Sequence, residues 1–267
     1  MRRAAPASRS VREWPSADVT VVSPHLDDAV LSLGAAIASL TRSGGQVTIV
    51  TAFAGDPESE RSASEWERRC GFTTAGEAAR IGRLEDARAC DLVGAKPIWL
   101  PFDRTSPEEE VAPHLSAAVE GADAVLVPGF PCRHEKHFEA AHIVLRNPPQ
   151  GAKLGFYVEQ PYAMWRLLGR EYEVGRRGMN FLSIALRRRS TAAEQSPRLH
   201  PALEELVTGT VQWTAVRRTS RDWVAKWRAI LAYSSQLRAF ARLMPLGMAL
   251  YEWQWGGEAV AWLPRQP

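Results

Sequence analysis

The alternation of short apolar runs with helical segments from Asp18 onward is the strongest constraint on the fold. The runs have strand length and are rich in β-branched residues; in order they read DVTVVS, QVTIVTAF, KPIWLPF, ADAVLVPG and KLGFYVEQP. Segments of helical periodicity separate them, the first from Ala29 to about Thr41. Strands that alternate with helices are typical of βαβ units, whose parallel sheets are covered by helices on both faces. The pattern predicts a Rossmann-like, three-layer α/β/α fold with a mostly parallel sheet.

The remainder of the chain divides into further helices, one edge strand and two irregular stretches. Helices are predicted over GEAARIGRLEDARACDLVG, over Glu108–Glu120 and over EKHFEAAHIVLR. TGTVQWTAV has the composition of an edge strand, and SRDWVAKWRAILAYSSQLRAF is predicted to form one amphipathic helix. We expect residues 1–17 to be a flexible tail, residues 18–267 to be a single domain, and residues 169–201 to be an irregular insertion.

Composition excludes several classes of protein. The net charge is only +3, with both signs interspersed, so no basic face for nucleic acid is expected. The chain lacks the run of about 20 apolar residues that a membrane span needs, and its N-terminus lacks the apolar core of a signal peptide. Cys70, Cys90 and Cys132 are odd in number and widely spaced, which does not indicate a disulfide framework. A location in the reducing cytoplasm is therefore expected.

Two groups of chemically reactive side chains follow two of the predicted strands. His25, Asp27 and Asp28 lie directly after DVTVVS, whereas His134 and His137 follow ADAVLVPG. Ligands of doubly wound sheets bind outside the carboxyl ends of the strands, where the strand order reverses. If these two strands are neighbours, both groups therefore face one crevice.

These residue types favour metal-dependent amide hydrolysis. Two histidines and one carboxylate make an open Zn²⁺ site, and Fe²⁺, Co²⁺ or Mn²⁺ could replace the zinc. A second carboxylate beside the metal can accept a proton from the attacking water. Whichever of His134 and His137 does not bind the metal can stabilise the oxyanion or the leaving amine.

Each element also has a simpler interpretation. Asp27 or Asp28 could merely cap the following helix, and the two histidines of HEKH could be surface residues. Cys132 could be a fourth metal ligand, although a closed site would not suit catalysis. A nucleotide-binding module is a further alternative, but SPHLDDA lacks the glycine-rich phosphate-binding motif. A catalytically inactive scaffold would have no reason to keep the complete set of reactive residues.

The same motifs resemble those of the PIG-L/LmbE-like deacetylases. That family carries (A/S)-H-P-D-D-E after its first strand and a later H-x-x-H; this chain has SPHLDDAVLSLG and HEKH. The likeness continues through GRLEDARACDLVGAKPIWLPFD, FYVEQPYAMW and KWRAILAYSSQ, in the family's order. Leu26 and Ala29 depart from it, because the family usually has proline and glutamate there. The lost glutamate could alter substrate contacts.

The resemblance implies a role for each matching residue. His25, Asp28 and His137 would bind one Zn²⁺, Asp27 would be the general base, and His134 would stabilise the tetrahedral intermediate or protonate the leaving amine.

The family's substrate-binding positions match less directly. Asp103 falls near a position that contacts sugar hydroxyls, and Arg69 or Arg80 would be the substrate-binding arginine. The implied reaction removes an N-acyl group, acetyl above all, from an amino sugar of the N-acetylglucosaminyl type in a small glycoside or glycoconjugate. The alternatives that keep the metal are an amidase of a thiol–sugar conjugate and a deacylase of a longer-chain N-acyl metabolite.

Overall fold

A computed structural model describes residues 14, 16–132, 134–167, 197–216, 218–240, 244–255 and 257–264. Most of the predicted tail and of the predicted insertion lies outside these ranges. The described elements are, in chain order, β1 (Asp18–Ser23), α1 (Asp28–Arg42), β2 (Gln46–Thr51), α2 (Glu65–Cys70), α3 (Ala75–Val93), β3 (Lys96–Trp99), α4 (Glu108–Val119), β4 (Ala124–Phe130), α5 (Glu135–Arg146), β5 (Lys153–Val158), α6 (Tyr162–Leu167), α7 (Pro201–Glu204), β6 (Thr214–Ala215), α8 (Ser220–Ala232), α9 (Ser234–Ala239), α10 (Met244–Trp255) and β7 (Ala259–Trp262).

The strands form one seven-stranded sheet in the order β3-β2-β1-β4-β5-β7-β6. The first five strands are parallel, and β7 runs antiparallel to both β5 and β6. β1 pairs with β2 on one side and β4 on the other, since Val19 lies opposite both Val47 and Ala124. The predicted mostly parallel, Rossmann-like sheet is confirmed, and its strand order reverses beside β1 and β4.

Helices cover both faces of the sheet. Alternate residues of a strand point to opposite faces, and accordingly Val21 belongs to the apolar core beneath α1, α3 and α8, whereas Val22 belongs to the core beneath α4 and α5. The α1 helix is almost entirely buried. A Cβ atom on its Gly34 would lie 3.0 Å from Lys226 Cγ of α8, so glycine lets the two helices approach closely.

The predicted helix from Ser220 to Phe240 is wrong in one respect, because it is two helices. Tyr233 separates them, with φ −79° and ψ 57°. The carboxylate of Glu85 on α3 accepts hydrogen bonds from Ser234 Oγ at 2.7 Å, from the Ser235 amide at 2.9 Å and from Ser235 Oγ at 2.6 Å. These bonds satisfy donors at the start of a new helix and thereby stabilise the break.

Two other expectations concern the sheet edge and the cysteines. The segment TGTVQWTAV does supply the outermost strand, but only Thr214 and Ala215 pair in it. The three cysteines are buried and unbonded to one another. Of the helices in the described ranges, none combines the length and the apolar character that crossing a bilayer requires.

Candidate metal centre

The turn between β1 and α1 is folded by hydrogen bonds of its own side chains. Ser23 Oγ accepts a hydrogen bond from the Ala29 amide at 3.0 Å and donates one to the His25 carbonyl at 2.6 Å. Asp28 Oδ2 accepts from the His25 amide at 3.0 Å. These bonds bring the imidazole of His25 and the carboxylate of Asp28 to the same side of the turn.

Asp27 occupies the N-cap position of α1, yet its side chain makes no capping hydrogen bond. The interpretation of Asp27 as a helix cap is therefore wrong. Its backbone has φ 109° and ψ −37°, a region that L-residues seldom adopt and that costs on the order of 1–3 kcal/mol. A strained backbone beneath a buried carboxyl group is more typical of a functional position than of a structural cap.

Three ligand atoms from two separate loops lie in a compact triangle. His25 Nδ1 is 3.2 Å from Asp28 Oδ2 and 3.2 Å from His137 Nε2, and the third side, from His137 Nε2 to Asp28 Oδ2, is 3.4 Å. Ligands of a tetrahedral zinc ion, bound at about 2.0–2.1 Å, lie about 3.3 Å apart. The donor set and its spacing therefore fit a three-ligand zinc site.

Glu159, at the carboxyl end of β5, fixes the orientation of His137. Its Oε1 atom is hydrogen-bonded to His137 Nδ1, and its Oε2 atom accepts from the Cys132 amide at 2.6 Å. A carboxylate on Nδ1 leaves Nε2 directed at the triangle, which is the usual support of a metal-binding histidine. Glu159 was not predicted from the sequence, although an acidic residue directly after a central strand, in FYVEQP, was the available signal.

The pKa values of the two aspartates in the turn shift in opposite directions. Burial opposes ionisation of Asp28, but His137 and His25 prevail and lower its pKa. Burial raises the pKa of Asp27 well above its usual value, and the charge of Asp28 beside it adds to the effect. One carboxyl group is thus suited to bind a cation, whereas the other retains affinity for a proton.

The pKa values of the two histidines in the triangle, His25 and His137, also shift in opposite directions. Burial lowers the pKa of His25, although Asp28 partly offsets the effect. For His137, burial is outweighed by Asp28 and Glu159, which raise its pKa.

His134 lies at the N-terminus of α5, exposed beside the triangle. Its ring centroid is 5.3 Å from that of His137 and 4.9 Å from that of Tyr162. Desolvation and the neighbouring His137 lower the pKa of His134 to about 4, so its imidazole is neutral at pH 7. It can therefore donate a neutral N–H hydrogen bond to a ligand in front of the triangle.

The remaining predicted site residues lie further out. Asp103 lies in the loop after β3. Its Oδ2 atom is 3.3 Å from Arg61 Nη2, and its Oδ1 atom accepts a hydrogen bond from the Thr105 amide at 2.7 Å. Arg69 pairs with Glu65 at 2.6 Å on the surface of α2, and Arg80 donates to the Pro57 carbonyl at 2.6 Å. Arg104 was not singled out from the sequence, yet its charge acts on four of the reactive residues; these are His25, Asp27, His134 and His137.

Cys132, the alternative fourth ligand, supports the site through its backbone. Its amide binds Glu159, and burial raises the pKa of its thiol. The compact ligand group found in the described part of the chain contains His25, Asp28 and His137 without Cys132.

Comparisons with known proteins identify relatives of this arrangement. A family model described as PIG-L: GlcNAc-PI de-N-acetylase matches residues 20–147, which include both reactive groups. No curated protein matches the chain.

Several solved structures share the fold. The A40926 pseudoaglycone deacetylase is 20% identical, with 92% of this chain and 96% of that chain covered and a TM-score of 0.67. A zinc-inhibited teicoplanin deacetylase is 17% identical over 93% and 98% of the two chains, with a TM-score of 0.66. The N,N'-diacetylchitobiose deacetylase of Pyrococcus horikoshii is 18% identical over 91% and 82%, with a TM-score of 0.51.

Proposed function

We propose that this chain, whose residues 20–147 are a PIG-L family domain, is a metal-dependent N-deacetylase of an amino sugar. The observation that carries the proposal is the triangle of His25, Asp28 and His137 with Asp27 and His134 beside it. The family match and the deacetylases that share the fold support the same reaction.

The residues of the site divide into ligands and proton-handling groups. His25, Asp28 and His137 would hold the metal, with Zn²⁺ favoured and one ion per chain; Fe²⁺, Co²⁺ and Mn²⁺ are possible substitutes. When bound, zinc brings the pKa of water towards 7 and polarises a carbonyl group. The zinc-inhibited form of a related fold indicates that such proteins interact with zinc.

Asp27 and His134 would act on the substrate from two directions. The raised pKa of Asp27 makes it a suitable acceptor for the proton of the attacking water. His134, neutral at pH 7, would donate its N–H to the developing oxyanion and then assist the leaving amine. Glu159 would keep His137 in the required orientation throughout.

The outer residues would bind the sugar. Asp103 accepts hydrogen bonds from Thr105 in the loop after β3. The charge of the adjacent Arg104 opposes protonation of His25 and His137, so this loop lies near the metal centre, and Asp103 is proposed to contact sugar hydroxyls. Arg69 or Arg80 remains the proposed substrate-binding arginine, but each would first have to leave its present partner. The three unbonded cysteines fit a reducing, cytoplasmic location.

Metal analysis of three proteins tests the proposal. His137→Ala removes one ligand of the triangle, whereas the matched control His142→Ala removes another histidine of α5, one that lies 3.2 Å from Glu108. About one zinc per chain is expected in the unsubstituted protein and in the control, and a large loss in His137→Ala. Release of acetate from N-acetylated amino sugars should follow the metal content. An unsubstituted protein that binds no zinc after supplementation would rule out the proposed function.

A further inference from the structure

The loop from Asp103 to Ser106 starts from a strand that is not next to the metal centre. It follows β3, and in the strand order β3-β2-β1-β4 the strand β2 separates β3 from β1. The metal triangle, however, is formed by the loops after β1 and β4. The loop from Asp103 to Ser106 therefore has to reach across the end of β2 before it can face a substrate at the triangle.

A hydrogen bond from Lys136 of α5 holds the loop in this position. Lys136 Nζ donates to the Ser106 carbonyl at 2.8 Å. Within the loop, Ser106 Oγ accepts from the Asp103 amide at 3.0 Å, and the Ser106 amide donates to the Asp103 carbonyl at 3.2 Å. Because Lys136 lies between His134 and His137 in HEKH, the bond joins the loop to the segment that carries the reactive histidines.

The ammonium group of Lys136 is held by two further contacts. It lies 2.6 Å from Glu139 Oε2, and the two side chains are 14% and 8% exposed. It also lies 5.0 Å from the centre of the Phe53 ring, a distance at which the face of an aromatic ring attracts a cation. Phe53 follows β2, and its ring centroid is 6.1 Å from that of His25. Lys136 is thus fixed at the end of β2, the place that the loop has to cross.

An ion pair that served only to stabilise α5 would not need the loop. A Lys–Glu pair three residues apart on a helix surface is solvated and contributes little to stability. Here the pair of Lys136 and Glu139 is largely buried, and a third contact of the ammonium group is a backbone carbonyl of the loop. A hydrogen bond from a charged donor is stronger than one between neutral groups, so this contact restrains the loop effectively.

We propose that Lys136 is a positioning residue for substrate recognition, which holds the loop from Asp103 to Ser106 at the metal centre so that the loop contacts the sugar. The inference rests on the proposed deacetylase function and assigns sugar recognition to the link between α5 and this loop. Lys136 acts through the loop, because its hydrogen bonds are directed to Ser106 and Glu139. Loss of its ammonium group should weaken sugar binding and preserve the metal and the chemical step.

Steady-state kinetics of Lys136→Met test the proposal. Methionine is a flexible side chain that cannot donate a hydrogen bond. KM for an N-acetylated amino sugar should rise about 10-fold or more, as expected from the loss of one hydrogen bond to a charged group, while kcat and zinc content stay within about twofold. The matched control is Lys96→Met, at the exposed start of β3, which should change none of the three quantities.

Hydrogen exchange of the zinc-loaded protein without substrate gives a readout that does not depend on activity. The amides of Asp103, Thr105 and Ser106 donate hydrogen bonds inside the loop. They should exchange faster in Lys136→Met than in the unsubstituted protein and in Lys96→Met, whereas amides in the later turns of α5 should be unaffected.

A double variant covers the case in which Lys136→Met does not fold because Glu139 is left buried without its partner. Lys136→Met/Glu139→Gln removes both charges and should show the same rise in KM and the same faster exchange of the loop.

Three results would overturn the proposal: an unchanged KM, unchanged exchange of the loop amides, or a loss of zinc or of kcat as large as the rise in KM. The last result would mean that Lys136 stabilises the metal site itself. If the unsubstituted, zinc-loaded protein releases no acetate, the proposed function fails instead, and the exchange measurement still decides whether Lys136 holds the loop.

Discussion

Among the individual residues, Asp27 shows that a position suited to catalysis can lower the stability of the fold. Asp27 is 8% exposed, has a positive φ and lies next to a second carboxylate. Its folded-state pKa is raised, so ionisation of Asp27 at neutral pH destabilises the metal-free fold. Each unit of such a shift corresponds to about 1.4 kcal/mol.

Replacing Asp27 with asparagine should therefore separate stability from activity. Asn has the same shape, carries no charge and tolerates a positive φ better than most residues. We expect Asp27→Asn to stabilise the metal-free protein at pH 7, because the buried charge is removed, and to abolish deacetylation while the metal is still bound. Denaturant unfolding, metal analysis and an acetate-release assay measure the three effects. An active Asp27→Asn protein would remove Asp27 as the base.

Glu159 gives a second prediction at this scale. Glu159→Gln replaces one carboxylate oxygen with an NH₂ group, which donates hydrogen bonds and accepts none. The glutamine therefore cannot accept from both His137 and the Cys132 amide. Metal affinity should fall about 10- to 100-fold, as is typical for the partner of a metal-binding histidine. Competition with a zinc chelator measures the affinity, and Glu109→Gln on α4 serves as the surface control. An unchanged affinity would show that His137 does not need this support.

At the scale of elements, the break between α8 and α9 depends on one carboxylate. Glu85→Ala removes the common acceptor of three donors on Ser234 and Ser235. Leaving buried donors without a partner costs about 1–3 kcal/mol, so we expect a loss of that size in chemical denaturation. Arg88→Ala, on the exposed face of the same helix, should change stability far less. Equal losses in the two variants would contradict the role given to Glu85.

The same break shows where sequence reasoning succeeds and where it fails. The five parallel strands were predicted correctly from their β-branched runs, because local strand propensity and burial in the core favour the same structure there. A helical period runs without interruption from Ser220 to Phe240, and the contact that ends the first helix comes from Glu85, about 150 positions away. The short strand β7 was missed for a similar reason: it exists through its pairing with β5 and β6.

For the candidate site, too, some residues could be predicted from the sequence and others could not. The two reactive groups were predictable because both follow apolar strands, but the choice of His25, Asp28 and His137 as ligands came from the resemblance to the PIG-L/LmbE-like family. The structure brings these three within 3.4 Å of one another. Glu159 and Arg104 were not predicted: Glu159 lies in FYVEQP, where its carboxylate was given no role, and Arg104 belongs to no short motif. They are recognised only when the ends of β5 and β3 are placed at the same edge of the sheet.

At the scale of the whole molecule, the metal triangle joins the loops after β1 and β4, and Glu159 adds the end of β5. A metal bound there would link three adjacent strands in the native state, whereas the unfolded chain separates these residues. Metal binding should therefore stabilise the fold by mass action, by about 2.7 kcal/mol at one hundred times the dissociation constant.

That stabilisation should depend on pH in a direction set by His137. Its pKa is raised above 6.5 by Asp28 and Glu159, so below that raised value a proton occupies the ring and must leave before a metal binds. The pKa of His25 is lowered, so His25 competes only in more acidic solution. We expect the increase in Tm on adding Zn²⁺ to chelator-treated protein to be full near pH 8 and to decline as the pH falls through the pKa of His137. Thermal unfolding from pH 5 to 8, with and without Zn²⁺, measures this dependence. His142→Ala should show the same profile, and a zinc effect of equal size at pH 5 and pH 8 would exclude His137 as a ligand.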